Sequence, residues 1–360
     1  MNPIKVLVVD DSAFIRQTIK AMIEEDSRLK VVATARDGKD ALEKLFRYQP
    51  DVVTLDIILP GDKDGLDVLH DIMSFQPTPT IMVSGASDEN ASYVIEAISS
   101  GAFDFIFKPS GRPSDVERIE HELQQKIKQA AVSKIKVGDT KQIYEGKHER
   151  AEPARQPDHP SLSNARIVLI GTSTGGPKAL QTVVPGLSKQ LPAPILIVQH
   201  MPSRFTKSLA ERLNRLSTIT VTEAKEGEIL EKGHCYVAPG GMHMCIESDE
   251  QARLRCHLSN SAPVNGVRPS IDVTLRSLAK LHGYSYVVSI LTGMGKDGAR
   301  GVIDLCAAGK NVRTIAESEE TCTVFGMPKA LIETGKVNEI QPLYHIAKAI
   351  CGEFGLQGDE

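Results

Sequence analysis

The sequence has no apolar run as long as a membrane span, and Met1 opens directly into a short strand-like segment with no signal-peptide pattern. Membrane insertion and export are therefore not expected, and the chain reads as cytoplasmic. Its six cysteines (Cys235, Cys245, Cys256, Cys306, Cys322 and Cys351) all fall in the second half and form no CxxC pair. That pattern suits reduced thiols rather than a disulfide framework. No internal repeat is present, nor an Arg-rich stripe, which argues against nucleic acid as a direct partner. With 41% apolar and 24% charged residues, collagen-like, disordered and coiled-coil classes are excluded.

What is present is 360 residues, about two domains at roughly 100–200 residues each. Charge is uneven between them. Residues 1–110 carry 18 Asp and Glu against 11 Lys and Arg, a net of −7, while the remainder carries 28 against 31, a net of +3. Short apolar runs at Lys5–Asp10, Val31–Ala35, Asp51–Asp56, Thr80–Ser84 and Phe103–Lys108 alternate with helical periodicity at Ala13–Glu25, Lys39–Phe46, Leu66–Phe75 and Ala91–Ser99. A fifth helix is expected from Pro113 to about Lys134. Five βα units in succession imply a doubly wound parallel sheet covered on both faces. Residues 138–163 are poor in large apolar side chains and rich in Lys, Glu, Arg, Gln and Pro, so they are expected to form a flexible linker.

A second α/β pattern begins at Arg166. Strands are expected at Arg166–Ile170, Pro194–Val198 and Ser285–Ile290, with helices near Lys178–Leu187, Arg204–Leu216 and Ile271–Leu281. Residues 219–258 alternate around Gly227, Gly233 and Gly240-Gly241, which suggests antiparallel hairpins in or beside a parallel sheet. The expected boundaries are 1–125, a helix end with linker at 126–164, and 165–356.

Chemistry concentrates at the strand ends. Strand one ends in Asp10-Asp11 and strand three in Asp56, at the edge where doubly wound sheets bind ligands. Converging carboxylates repel unless a cation sits among them, and Mg²⁺ is the hard ion that oxygen ligands prefer. Strand four ends in the hydroxyl of Ser84 and strand five in Lys108, groups suited to a transferred phosphoryl. A plainer reading makes Asp10 and Asp11 helix caps, but it leaves the other strand ends unexplained. The constellation over residues 3–125 resembles the response-regulator receiver domain. The resemblance implies Asp56 as phospho-acceptor, Mg²⁺ held by Asp10, Asp11, Asp56 and the Ile58 carbonyl, and Ser84, Phe105 and Lys108 as switch residues. The segment Asp56–Gly65 is one residue longer than the family's usual loop.

In the second half, Gly171-Thr172-Ser173-Thr174-Gly175 is G-x-S-x-G at a strand-to-helix turn, where a serine can stand above a sheet. The phosphate-cradling G-x-G-x-x-G and GK[ST] patterns are absent, while a plain N-cap serine remains open. A nucleophilic serine needs a base and an orienter. His200 and Asp297 also follow buried strands, although either could be structural, and the Ser, His, Asp order differs from that of α/β-hydrolases. Cys235, His243, Cys245, Cys256 and His257 fit no standard zinc spacing, so no zinc site is expected.

Gly171–Gly176, Gln199–Pro202, Arg268–Asp272, Thr292–Gly298 and Phe325–Pro328 together resemble the catalytic domain of the CheB family of chemotaxis methylesterases, where a receiver and linker also come first. Val267 stands where many relatives carry histidine. The resemblance implies Ser173 as nucleophile, His200 as base and then acid, Asp297 as orienter, and Thr174 and Met294 as oxyanion supports. It further implies glutamyl methyl esters of chemoreceptor cytoplasmic domains as substrate, deamidation of receptor glutamines, a chemotaxis histidine kinase as phosphodonor, and no cofactor for the hydrolysis. Two alternatives are a two-component adaptor with a vestigial triad and a DNA-binding response regulator. The second expects a basic recognition helix, where an α/β domain follows instead.

Overall fold

Strands apolar on both faces need a layer of helices on each side. The computed structural model, which describes residues 2–85, 88–109, 113–133 and 165–357, supplies those layers around two sheets. The first unit runs β1 (Ile4–Val9), α1 (Ala13–Glu24), β2 (Leu29–Ala35), α2 (Gly38–Tyr48), β3 (Val52–Asp56), α3 (Gly65–Phe75), β4 (Thr80–Ser84), α4 (Asp88–Ser99), β5 (Asp104–Phe107) and α5 (Pro113–Val132). Its sheet order is β2-β1-β3-β4-β5, so the winding direction reverses between β1 and β3. That reversal opens a crevice at the carboxyl ends of these two strands. Val6, Val8, Val52 and Leu55 are fully buried, at about 1.5–3 kcal/mol for each large side chain taken from water.

The second unit runs β6 (Arg166–Thr172), α6 (Gly176–Val183), β7 (Ile195–Gln199), α7 (Phe205–Leu216), β8 (Thr220–Glu223), β9 (His234–Val237), β10 (His243–Ser248), β11 (Leu254–Ser259), α8 (Ile271–Ala279), β12 (Ser285–Ile290), α9 (Ala299–Ala307), β13 (Val312–Glu317), α10 (Met327–Glu333), β14 (Glu339–Gln341) and α11 (Leu343–Gly352). Seven strands pair in the order β14-β13-β12-β6-β7-β9-β8. Winding reverses again, between β6 and β12. Strand pairing places β4 and β5 in the first sheet, and each sheet marks one unit.

The hairpin expectation for residues 219–258 holds only in part. β10 and β11 form an antiparallel ribbon, but β8 pairs with β9 in parallel and both extend the main sheet. Gly227 and Gly233 have φ of 74° and 69° and turn the chain within a long connection instead of closing a two-residue hairpin. That connection is anchored by hydrogen bonds from Gly227 N–H to Cys256 O and from Leu230 N–H to Leu254 O. Within the ribbon, Cys245 faces His257 and Ile246 faces Cys256 across the strands. Burial pushes the Cys256 thiol up to about 12, so it behaves as a core side chain. The linker at 138–163 lies outside the described residues.

Candidate active site and receiver pocket

The receiver pocket sits at the β1/β3 reversal. Asp10 and Asp11 follow β1, Asp56 ends β3, and carboxylate oxygens of all three lie within 4.8 Å of one another. Capping does not explain Asp10 and Asp11, because Ser12 is the N-cap of α1 and accepts from Ile15 N–H. Arg16 Nη1 donates to the backbone carbonyls of Asp10 (2.7 Å) and Asp11 (2.9 Å), which pins that turn. Asp56 Oδ1 accepts from Ile58 N–H at 3.3 Å, and the Ile58 carbonyl accepts no hydrogen bond among the described residues. Three carboxylates and an available carbonyl are hard oxygen donors, a set that fits a divalent cation. Ser84 and Lys108 meet at the ends of β4 and β5, where Lys108 N–H donates to Ser84 O at 2.9 Å. Phe105 lies buried on β5.

The second site occupies the carboxyl ends of β12, β6 and β7, three adjacent strands at the other reversal. Ser173 follows β6 on a turn held from several sides. Its N–H donates to Thr292 O (3.0 Å), and its carbonyl accepts from Gly176 N–H (2.8 Å) and Gln199 Nε2 (2.9 Å). Helix α6 starts directly behind it at Gly176, two residues before the expected start. A Cβ at Gly176 would fall 2.0 Å from Gln199 Oε1, so only glycine lets the helix close on β7.

His200 follows β7, its N–H bonded to Thr172 O at 3.1 Å, which places it one strand over from Ser173. Its Nε2 lies 2.8 Å from Asp297 Oδ2. The other nitrogen, Nδ1, has no hydrogen bond among the described residues.

Asp297 is only 3% exposed yet surrounded by donors. Ser270 Oγ (2.8 Å), Ile271 N–H (2.6 Å), Asp272 N–H (3.2 Å) and Asn265 Nδ2 (3.3 Å) join His200. Burial pushes its carboxyl up, but His200, Ser270 and Ile271 outweigh burial, and the net position is below the ordinary value. Asp297 is therefore held as a carboxylate.

Thr174 and Met294 border the same turn. Neither backbone N–H donates among the described residues, whereas that of Ser173 is committed to Thr292. Met294 is carried by the loop after β12, whose Gly293 lies so close to Ser173 that a Cβ there would fall 2.7 Å from the serine Cβ. Two residues outside the expected set fasten this loop. Thr292 donates its N–H to buried Glu317 (2.7 Å) and its hydroxyl to Thr174 O (3.0 Å). Burial pushes the Glu317 carboxyl above its ordinary value. Nothing in the spacing marks Glu317, because it reaches the site from β13, the far neighbour of β12.

Comparison with known proteins agrees with this geometry. The CheB methylesterase family model matches residues 168–350, and the response regulator receiver domain model matches residues 6–120. A protein-glutamate methylesterase/protein-glutamine glutaminase of Symbiobacterium thermophilum is 44% identical, over 98% of either chain. One of the same name from Geobacillus kaustophilus is 44% identical over 99% of this chain and all of its own. The solved catalytic domain of Thermotoga maritima CheB methylesterase is 44% identical and covers 52% of this chain and 97% of its own, with a TM-score of 0.50. Taken with a receiver pocket on one sheet and a serine turn beside a His–Asp pair on the other, these matches place the chain in the CheB methylesterase family, with an N-terminal response-regulator receiver domain.

Proposed function

We propose that the chain is a phosphorylation-activated protein-glutamate methylesterase acting on γ-glutamyl methyl esters of chemoreceptor cytoplasmic domains. The name shared by its full-length relatives supports the reaction, and the single observation that carries it is the His200–Asp297 hydrogen bond beside the Ser173 turn. Ser173 Oγ attacks the ester carbonyl and passes its proton to His200. Because Asp297 occupies Nε2, the accepting nitrogen is Nδ1, and the carboxylate stabilises the imidazolium that forms. The uncommitted N–H groups of Thr174 and Met294, with the N-terminus of α6, suit the negative oxygen of the tetrahedral intermediate. His200 returns the proton as methanol leaves. Water then attacks the acyl-enzyme, again through His200, and releases glutamate. The same steps on glutamine release ammonia.

In the receiver, Asp56 is the phospho-acceptor, with Asp10, Asp11, Asp56 and the Ile58 carbonyl as ligands for Mg²⁺. When bound there, Mg²⁺ would supply positive charge against the phosphoryl oxygens. Lys108 and Ser84 contact the phosphoryl group, and Phe105 is the aromatic switch. A cytoplasmic histidine kinase of the chemotaxis type is the donor. Phosphorylation adds about −1.5 to −2 charge and biases a two-state receiver.

The test is methanol release from methylated receptor with and without acetyl phosphate. The expected result is stimulation of the wild type and none of Asp56→Asn. Equal stimulation of both would contradict the proposal.

A further inference from the structure

Helices α8 and α9 cap each other with aspartates. Ser270 is the N-cap of α8, yet its hydroxyl makes no cap bond and donates to Asp297 instead. The first-turn N–H groups of Ile271 and Asp272 go to the Asp297 carboxylate. The N-cap of α9 is Gly298, which has no side chain to offer. Its N–H (2.9 Å) and that of Gly301 (2.6 Å) go to Asp272 Oδ1, which reaches across from α8. Each helix thus supplies, or is preceded by, the carboxylate that closes the other's open end.

The two carboxylates are also tied directly. Asn265 Nδ2 donates to Asp272 Oδ2 (3.1 Å) and Asp297 Oδ1 (3.3 Å). Asn265 sits at φ 54° in a tight turn closed by mutual hydrogen bonds between Val264 and Val267, at 3.0 and 3.1 Å. Asparagine is one of the few residues besides glycine that adopt left-handed backbone readily, and here the turn aims the amide at both carboxylates.

We infer that Asp272, with Asn265, is a positioning residue for the hydrolytic site: it fixes the loop that carries Asp297 and adds a second negative charge behind the His200–Asp297 pair. This rests on the triad reading above. Every donor to the Asp272 carboxylate among the described residues is an N–H, a set that holds the ionised form. Burial, and next the charge of Asp297, push its carboxyl above the ordinary value, against the Gly301 and Gly298 N–H groups. The charged and titratable groups around it are Asp297 and His200, Arg276 on α8, Lys296 and Arg300 beside the same surface hollow, and His243 on β10, whose Nδ1 accepts Ser270 N–H. Arg276 and Arg300 are both engaged by Asp304, so they compensate Asp272 only in part.

Two readouts test this in full-length protein: the pH profile of methanol release, and the low-field proton resonance of the His200–Asp297 hydrogen bond. Asp272→Asn keeps an acceptor for Gly298 and Gly301 but removes the charge and the oxygen that receives Asn265 Nδ2. The expected result is a kcat about tenfold lower with KM within about twofold. The acid limb of the profile should move to lower pH, because the site then holds one negative charge fewer behind the reacting groups. The low-field resonance should broaden as the loop loosens. Should Asp272→Asn not fold, Asn265→Gly keeps the backbone conformation and removes only the amide, with a kcat loss of about threefold and the same broadening expected. A folded variant with lower Tm, an unmoved profile and an unchanged resonance would make the role of Asp272 purely structural and overturn the inference. Failure of the triad reading would look different: the wild type itself would release no methanol, while the resonance would still respond to position 272.

Discussion

Replacing Asp297 with asparagine removes one charge and almost no volume, and the arrangement of donors sets its consequences. Oδ2 receives His200 Nε2 and Ile271 N–H, while Oδ1 receives Ser270 Oγ, Asp272 N–H and Asn265 Nδ2. An asparagine has one acceptor oxygen, so whichever way its amide turns, its NH₂ faces a backbone N–H that cannot turn away. If the NH₂ lies on the His200 side, the imidazole must accept at Nε2 and carry its proton on Nδ1. In the proposed mechanism, that is the nitrogen that receives the serine proton. A tautomer trap of this kind lowers kcat by about 10³–10⁴-fold. Breaking a buried, paired charge destabilises by about 3–5 kcal/mol, or roughly 6–20 °C in Tm for a unit of this size. The Asp297 carboxyl is depressed in the folded state. Its stabilising contribution is thus fully present above the ordinary carboxylate value and is lost as pH falls through the depressed one. The difference in Tm between wild type and variant should accordingly shrink in strong acid. The assays are methanol release and thermal unfolding from about pH 3 to 8. A variant that keeps more than a tenth of wild-type kcat would refute the orienting role of Asp297.

Other expectations follow from the same contacts. In Gly293→Ala the new methyl would stand 2.5 Å from Met327 Sδ and 2.7 Å from Ser173 Cβ; the flexible thioether can yield but the serine turn cannot. Displacement of the attacking oxygen should lower kcat by about 10²-fold with little change in KM, and an unchanged kcat would show that the loop does not set the serine. Glu317→Gln keeps an acceptor for Thr292 N–H while removing a buried charge. Because the folded carboxyl is raised, its proton is held more tightly folded than unfolded, so wild-type stability falls as pH rises through that range. The glutamine variant should therefore gain Tm relative to wild type as pH rises above the ordinary glutamate value and converge with it below. A constant difference across that range in thermal unfolding would count against the argument.

Strand ends were the most legible part of the chain, because a parallel sheet collects chemistry at one edge and an apolar run ending in a polar residue marks that edge. Asp10, Asp11 and Asp56 could be placed in one pocket from β1 and β3 alone, and the His200–Asp297 contact joins residues already picked out as following β7 and β12. What stayed hidden was carried by side chains reaching between elements. Asp272 and Gly298 are 26 residues apart, and Glu317 and Thr292 are 25 apart. No local periodicity encodes such pairings. The imidazole nitrogen facing Asp297 is likewise a matter of approach direction, which spacing does not contain. The parallel pairing of β8 is not legible in the sequence, because an edge strand with one exposed face shows the same alternation as a hairpin arm in either direction.

The most direct measurement is mass spectrometry of the acetyl-phosphate-activated enzyme after reaction with a serine-directed fluorophosphonate, run beside methanol release. The expected result is a single adduct on the peptide bearing Ser173, formed in proportion to lost activity and absent from His200→Ala. Full inhibition with Ser173 unmodified, or an adduct on another serine that tracks the lost activity, would contradict the assignment of the nucleophile and with it the hydrolytic mechanism.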